Sequence, residues 1–175
     1  MVKNNKLRIG ISQCLLGDHV RYDGGHKRDA LLADTLSRQV EWVPVCPEVE
    51  AGLGVPREPM RLEGTAASPR LVTTTAVDHT AAMRRFSARR LRELERLELS
   101  GYVFKARSPS CGIGRVPLMN TRGIEMPEGV GLFAQALMAH FQMMPVEDED
   151  RLHDPNILKD FLQRASDYRR SRDRA

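Results

Sequence analysis

The stretch Leu7-Arg8-Ile9-Gly10-Ile11-Ser12-Gln13-Cys14 decides the reading of this chain. Leu7 to Ser12 alternates and is rich in β-formers, and turn residues follow at Gly17-Asp18 and Tyr22-Asp23-Gly24-Gly25, so a strand ends just short of Cys14. Asp29 can cap a helix from about Ala30 to Arg38, where Leu31, Leu32 and Leu36 supply an apolar stripe. Trp42 to Val45 then makes a second strand that ends at Cys46. A β-loop-α-β order implies parallel strands with a right-handed crossover. Ligands of such sheets bind beyond the carboxyl ends of the strands, so Cys14 and Cys46 belong at one edge, the binding edge.

The same logic carries downstream. Residues 51–69 are rich in Gly and Pro and read as a long functional loop without a regular element. Leu71 to Ala76 reads as a short strand. Asp78 caps a helix running to about Leu99, with Met83, Phe86, Leu91, Leu94 and Leu97 as its core side and Gly101 as its stop. Tyr102 to Ala106 is a third sheet strand, and it delivers Ser108 to Gly114, including Cys111, to the edge that holds the other two cysteines. Met119 to Gly129 reads as turns, and Gly131 to Phe141 as an apolar helix covering the sheet. The expected fold is α/β: a Rossmann-like three-layer domain with a mainly parallel sheet over residues 1–144. An acidic linker (Glu147-Asp148-Glu149-Asp150) and a helical tail after Pro155 make up residues 145–175.

Composition narrows the class. A chain of 175 residues buries one sizeable core. It has no apolar run of about 18 residues, and Met1 to Lys6 leads into the first strand without a signal-peptide core, so the expectation is a cytoplasmic protein with no membrane contact. Three cysteines, an odd number with no short spacing, argue against a secreted disulfide framework and for a reducing compartment. A net charge of +4 and a pI near 9.2 permit nucleic-acid contact without requiring it. Arg84, Arg85, Arg89, Arg90, Arg92 and Arg96 crowd the long helix as a solvated face laced with pairs such as Arg89–Glu93 and Arg92–Glu95. Arg57, Arg61, Lys105 and Arg107 flank two cysteine loops, where cations could hold an anionic substrate.

Buried cysteine often serves as a small hydrophobe. Here each one sits in a Gly-, Ser- or Pro-rich loop just past a strand, which suits a site better than a core. Three thiolates with no evident fourth protein ligand match two kinds of centre: a catalytic zinc, or a [4Fe-4S] cluster with one iron open. The chain lacks Cys-x-x-Cys and the His-x-Glu deaminase pattern, which argues against zinc. It also lacks the ferredoxin runs, so spacing alone leaves both centres open.

The segments Ile11-Ser12-Gln13-Cys14-Leu15-Leu16-Gly17, Val20-Arg21-Tyr22-Asp23-Gly24-Gly25, Val45-Cys46-Pro47-Glu48-Val49, Gly54-Val55-Pro56-Arg57 and Lys105-Ala106-Arg107-Ser108-Pro109-Ser110-Cys111-Gly112 carry a resemblance. Together, and in this order, they resemble the thiouracil desulfidase (TudS) family, formerly a domain of unknown function, over roughly Leu7 to Phe141. The resemblance implies a [4Fe-4S] cluster held by Cys14, Cys46 and Cys111, with the open iron binding the thiocarbonyl sulfur. It also implies a non-redox conversion of C=S to C=O on a thiolated uracil. Some members carry a further cysteine where this chain has Val20, so that ligand is lacking here and an open iron is favoured. In this scheme Glu48 activates water and shuttles its proton, with Glu50 as the fallback base, and Ser108 orients or protonates the reacting sulfur or ring nitrogen. Ser12, Asp23 and Glu50 are expected substrate contacts, and His26 a surface histidine.

The family includes members acting on free thiouracil and longer ones acting on 4-thiouridine in tRNA. Glu50-Ala51-Gly52-Leu53-Gly54-Val55-Pro56-Arg57 and the tail from Pro145 look like the N-terminal domain of the longer type. For a tRNA substrate, Arg57, Arg61, Lys105, Arg107 and the Arg-rich helix would contact phosphates, and binding would fall steeply with salt. The rival readings are a zinc or thiol-dependent hydrolase and a non-catalytic RNA-binding accessory domain.

Overall fold

The computed structural model describes residues 6–174; Ala175 and Met1 to Asn5, where the absence of a signal-peptide core was read, lie outside the described residues. β1 (Leu7–Ser12) pairs in parallel with β2 (Val40–Val45), as the opening stretch predicts. The crossover between them is helical but irregular: a π-helical turn (Leu31–Thr35) runs into a 3-10 turn (Leu36–Arg38). Asp29 does cap it, accepting the Leu32 N–H at 3.2 Å. Trp42 Nε1 and Ser37 Oγ both donate to the Leu32 carbonyl, and Ser37 also bonds Ala33 O. Side-chain donors on these carbonyls compete with regular helical pairing and explain the departure from α geometry.

After α1 (Pro47–Glu50), the expected loop over 51–69 is only partly irregular. Residues Met60–Thr65 form β3, which makes an antiparallel hairpin with β4 (Ser68–Thr73), so the strand read at Leu71 to Ala76 lies three residues earlier at each end. α2 (Thr80–Arg96) follows, with Asp78 accepting the Thr80 N–H at 2.8 Å. It stops before Leu99 because Glu98 takes a left-handed conformation (φ 54°); Gly101, read as the stop, opens β5 (Gly101–Phe104). The stretch read as turns holds β7 (Glu125–Gly129), which closes a second hairpin on β6 (Val116–Met119). Then come α3 (Leu132–His140), β8 (Val146–Asp148), α4 (Glu149–Leu152) and α5 (Pro155–Arg172). The acidic run read as a linker is part of the sheet: β8 pairs in parallel with β5, and Glu147, Asp148 and Glu149 are buried.

Two sheets result. The first has the order β2-β1-β5-β8 and is wholly parallel; the second has the order β4-β3-β6-β7. Alternate residues of β5 face opposite cores. Tyr102 and Phe104 pack with α2, α3 and the second sheet, whereas Val103 packs with Ile9, Ile11, Leu32, Leu152 and Phe161 on the other side. Helices therefore cover both faces, the three-layer α/β arrangement expected. Gly10 is required on β1, since a Cβ there would lie 2.2 Å from the Tyr102 ring. Each fully buried Leu or Phe contributes about 1.5–3 kcal/mol. No helix among the described residues is long and apolar enough to cross a membrane.

Candidate metal centre

The chain passes from β1 to β2 on one side and returns to β5 on the other, so the crevice beyond the carboxyl ends of β1 and β5 is a topological switch point. A cavity of about 730 Å³ opens there. All four strands of the parallel sheet feed it: Ser12 and Cys14 come from β1, Cys46 and Glu48 from β2, Lys105, Arg107, Ser108 and Cys111 from β5, and Glu149 and Asp150 from β8. Cys14, Cys46 and Cys111 all line it, and all three are buried free thiols.

Each thiol is held by a different local device. Cys14 lies in a single 3-10 turn (Gln13–Leu16) stopped by Gly17 at φ 102°. Its carbonyl accepts the Gly17 and Lys27 N–H groups. Cys46 is the extended residue before α1; its N–H donates to Glu50 Oε1 at 3.1 Å, and its Sγ lies 3.8 Å from the Val20 carbonyl. Cys111 donates its N–H to Ser108 Oγ at 3.1 Å. The loop before it is gripped by the start of α3: Gly131, Leu132, Phe133 and Ala134 donate their N–H groups to the carbonyls of Gly112, Pro109, Ser110 and Ser110. This seat needs glycine at 131, where a Cβ would come within 2.4 Å of the Ser110 backbone.

Burial pushes the Cys14 thiol up to about 11, with Arg21 partly opposing it. It raises Cys46 as well, and Cys111 well above its ordinary value, where a hydrogen bond from Ser12 partly opposes the effect. The charge of each neighbouring thiolate raises them further: Cys46 acts on Cys14, and both act on Cys111. Three such thiols do not ionise together unaided. A cationic centre would remove both penalties, because metal binding displaces the thiol protons. Among the described residues, no three His, Cys, Asp or Glu side chains are close enough to hold one metal ion. A polynuclear cluster takes each thiolate on a different iron, and three separated thiols around one cavity fit that demand.

Of the other residues singled out in the sequence, Glu48, Ser108, Ser12, Arg57 and Arg107 line the cavity. Asp23 and Glu50 do not. Asp23 is exposed and closes its own turn by accepting the Gly25 N–H at 2.9 Å. Glu50 turns away to Arg90 of α2 at 3.1 Å, and burial raises its carboxyl pKa. Residues two apart on a helix face different ways, so α1 sends Glu48 to the cavity and Glu50 to α2. His26 is exposed, as expected.

The cations flanking the loops already have carboxylate partners. Arg57 pairs with Glu48 at 2.7 Å, Lys105 with Glu149, and Arg107 with Asp150 at 2.6 Å; Arg61 pairs with Glu63 away from the cavity. Ser12 Oγ accepts the Lys105 N–H at 2.9 Å, tying β1 to β5. Ser108 Oγ accepts the N–H groups of Ser110 and Cys111. On the Arg-rich helix, Arg90 pairs with Glu93 and Glu50, in place of the expected Arg89–Glu93 and Arg92–Glu95. Sequence reasoning missed Ser110 and Glu149. Ser110 stands inside a quoted motif, and Glu149 could be found only by reading the acidic run as the end of a strand.

A family model described as 2-thiouracil desulfurase matches residues 9–149. The chain is 30% identical over 112 residues to YbbK, an uncharacterised protein of Bacillus subtilis strain 168, covering 61% of this chain and 74% of that one. Among solved structures it is similar to a [4Fe-4S]-dependent thiouracil desulfidase, TudS, with a TM-score of 0.72 and 32% identity over 89% of this chain and 99% of the other. With the matched span reaching from β1 to the first residue of α4 and enclosing all three cysteines, this chain belongs to the 2-thiouracil desulfurase family.

Proposed function

We propose that this protein removes sulfur from a thiolated uracil, converting C=S to C=O without net redox change, at a [4Fe-4S] cluster held by Cys14, Cys46 and Cys111. The observation that carries this reading is the meeting of three buried free thiols in one cavity at the switch point of the parallel sheet. Held by the three thiolates, such a cluster would supply Lewis-acid chemistry that polarises the C=S bond and accepts sulfide.

The chain's own residues handle water and protons. Glu48 accepts the proton of the water that adds to the ring carbon, and its free position is at Oε1. Oε2 takes both Arg57 Nε and the adjacent guanidinium nitrogen, whereas Oε1 takes only Ser110 Oγ at 2.8 Å and keeps capacity for one more donor. Ser108 uses its hydroxyl oxygen as acceptor for two backbone N–H groups and keeps its O–H to donate to the substrate sulfur or ring nitrogen. Ser12 supports the Cys111 sulfur.

The substrate is free thiouracil or 4-thiouridine in tRNA. For the tRNA arm, the exposed arginines 84, 85, 89, 92 and 96 on α2 provide phosphate contacts. Anaerobic reconstitution with iron and sulfide, followed by parallel assays on free 4-thiouracil and on 4-thiouridine-containing tRNA, tests the reading. The expected result is a brown, oxygen-sensitive protein that releases sulfide from at least one of them. A tRNA substrate shows turnover falling steeply with salt; a free base does not. A fully reconstituted protein that releases sulfide from neither overturns the reading.

A further inference from the structure

We infer that Ser110 is a positioning residue for Glu48, an inference that rests on the desulfidase reading. Ser110 is 1% exposed and immediately precedes Cys111, yet its hydroxyl crosses to the Cys46 loop and donates to Glu48 Oε1 at 2.8 Å. Both polar groups of its backbone are engaged. The N–H donates to Ser108 Oγ, and the carbonyl accepts the N–H groups of Phe133 and Ala134. Its side chain is thus aimed by α3 and the Cys111 loop together. Arg57 holds the other carboxylate oxygen and is itself fixed by the carbonyls of Gly54 and Val20.

The carboxylate is consequently gripped at both ends by groups that do not line up with one another in sequence. Arg57 alone would leave Glu48 free to swing about its bond to the guanidinium. The Ser110 hydroxyl fixes the plane of the carboxylate and so the direction of the unused Oε1 lone pair. The bond also ties two cysteine loops together, so that the base and the sulfur ligands keep one relative placement.

The test pairs the kinetics of one variant with a double-mutant cycle in unfolding. In the reconstituted enzyme, Ser110→Ala lowers kcat about ten- to hundredfold with KM little changed, while iron and sulfide content and the visible spectrum match those of the wild type. A purely structural role would instead lower cluster content or raise KM. In the metal-free full chain, urea unfolding of the wild type, Ser110→Ala, Glu48→Ala and the double variant reads the bond without activity. Coupling of about tenfold or more in the unfolding constant is expected. Absence of coupling overturns the proposal, as does an unchanged kcat in Ser110→Ala. If the wild type itself releases no sulfide, the desulfidase reading fails, and the unfolding cycle still decides whether Ser110 holds Glu48.

Discussion

The two sheets of this molecule divide the labour unequally. The parallel sheet is buried on both faces, and its four strand ends deliver the thiols, the carboxylates and the serines of the cavity. The second sheet packs Leu62, Leu71, Val116 and Leu118 into the shared core and gives the cavity only Met60 and the neighbouring Pro59. Chemistry lies where parallel strands end side by side at a switch point, because only there do loops distant in sequence open in one direction. The hairpin sheet serves as a wall behind them.

Six substitutions break or sharpen this contrast. Cys14→Ala, Cys46→Ala or Cys111→Ala should abolish both colour and turnover; iron analysis after anaerobic reconstitution checks this, and a variant that keeps full iron content would remove that cysteine from the centre. Glu149→Gln, at the end of β8, leaves the Lys105 ammonium without its charged partner at a site where the pair is only 13% and 7% exposed. That should cost about 3 kcal/mol in urea unfolding. On the second sheet, Leu62→Ala should cost about 2–4 kcal/mol through the cavity it leaves, while kcat stays within about twofold. A collapse in kcat at retained fold would give the second sheet a share of the chemistry. The smallest effect belongs to Glu63→Gln, which weakens half-exposed pairs with Arg61 and Arg70 and should change stability by less than about 1 kcal/mol.

The same contrast accounts for what could be read from the chain. β1, β2 and β5 are apolar runs ending at cysteine loops, and α2 shows its core stripe at helical spacing, so the parallel sheet and its edge were legible. The second sheet was not. Met60-Arg61-Leu62-Glu63-Gly64-Thr65 offers two apolar side chains, and Glu125-Met126-Pro127-Glu128-Gly129 offers little but polar groups and a proline. Such strands exist through their pairing with β4 and β6, a tertiary effect that outweighs local propensity. Within the site, residues defined by their own loop were visible and those defined by a distant partner were not. Ser110 reads as one more serine in a turn until Glu48, 62 positions away, is placed beside it. Asp23 and Glu50 lie off the cavity lining for local reasons: a turn closes on the first, and helix rotation carries the second to α2.

The grip of α3 on the Cys111 loop also sets a clock. Phe133, Ala134 and Leu137 anchor that helix in the core, so the loop that carries Cys111 shifts only when a large cooperative unit opens. Cys14 sits instead on a single turn between β1 and a loop of exposed residues. In the metal-free protein, local fluctuation therefore uncovers the Cys14 thiol more readily than the Cys111 thiol, and oxidants or alkylating agents should modify Cys14 the faster of the two.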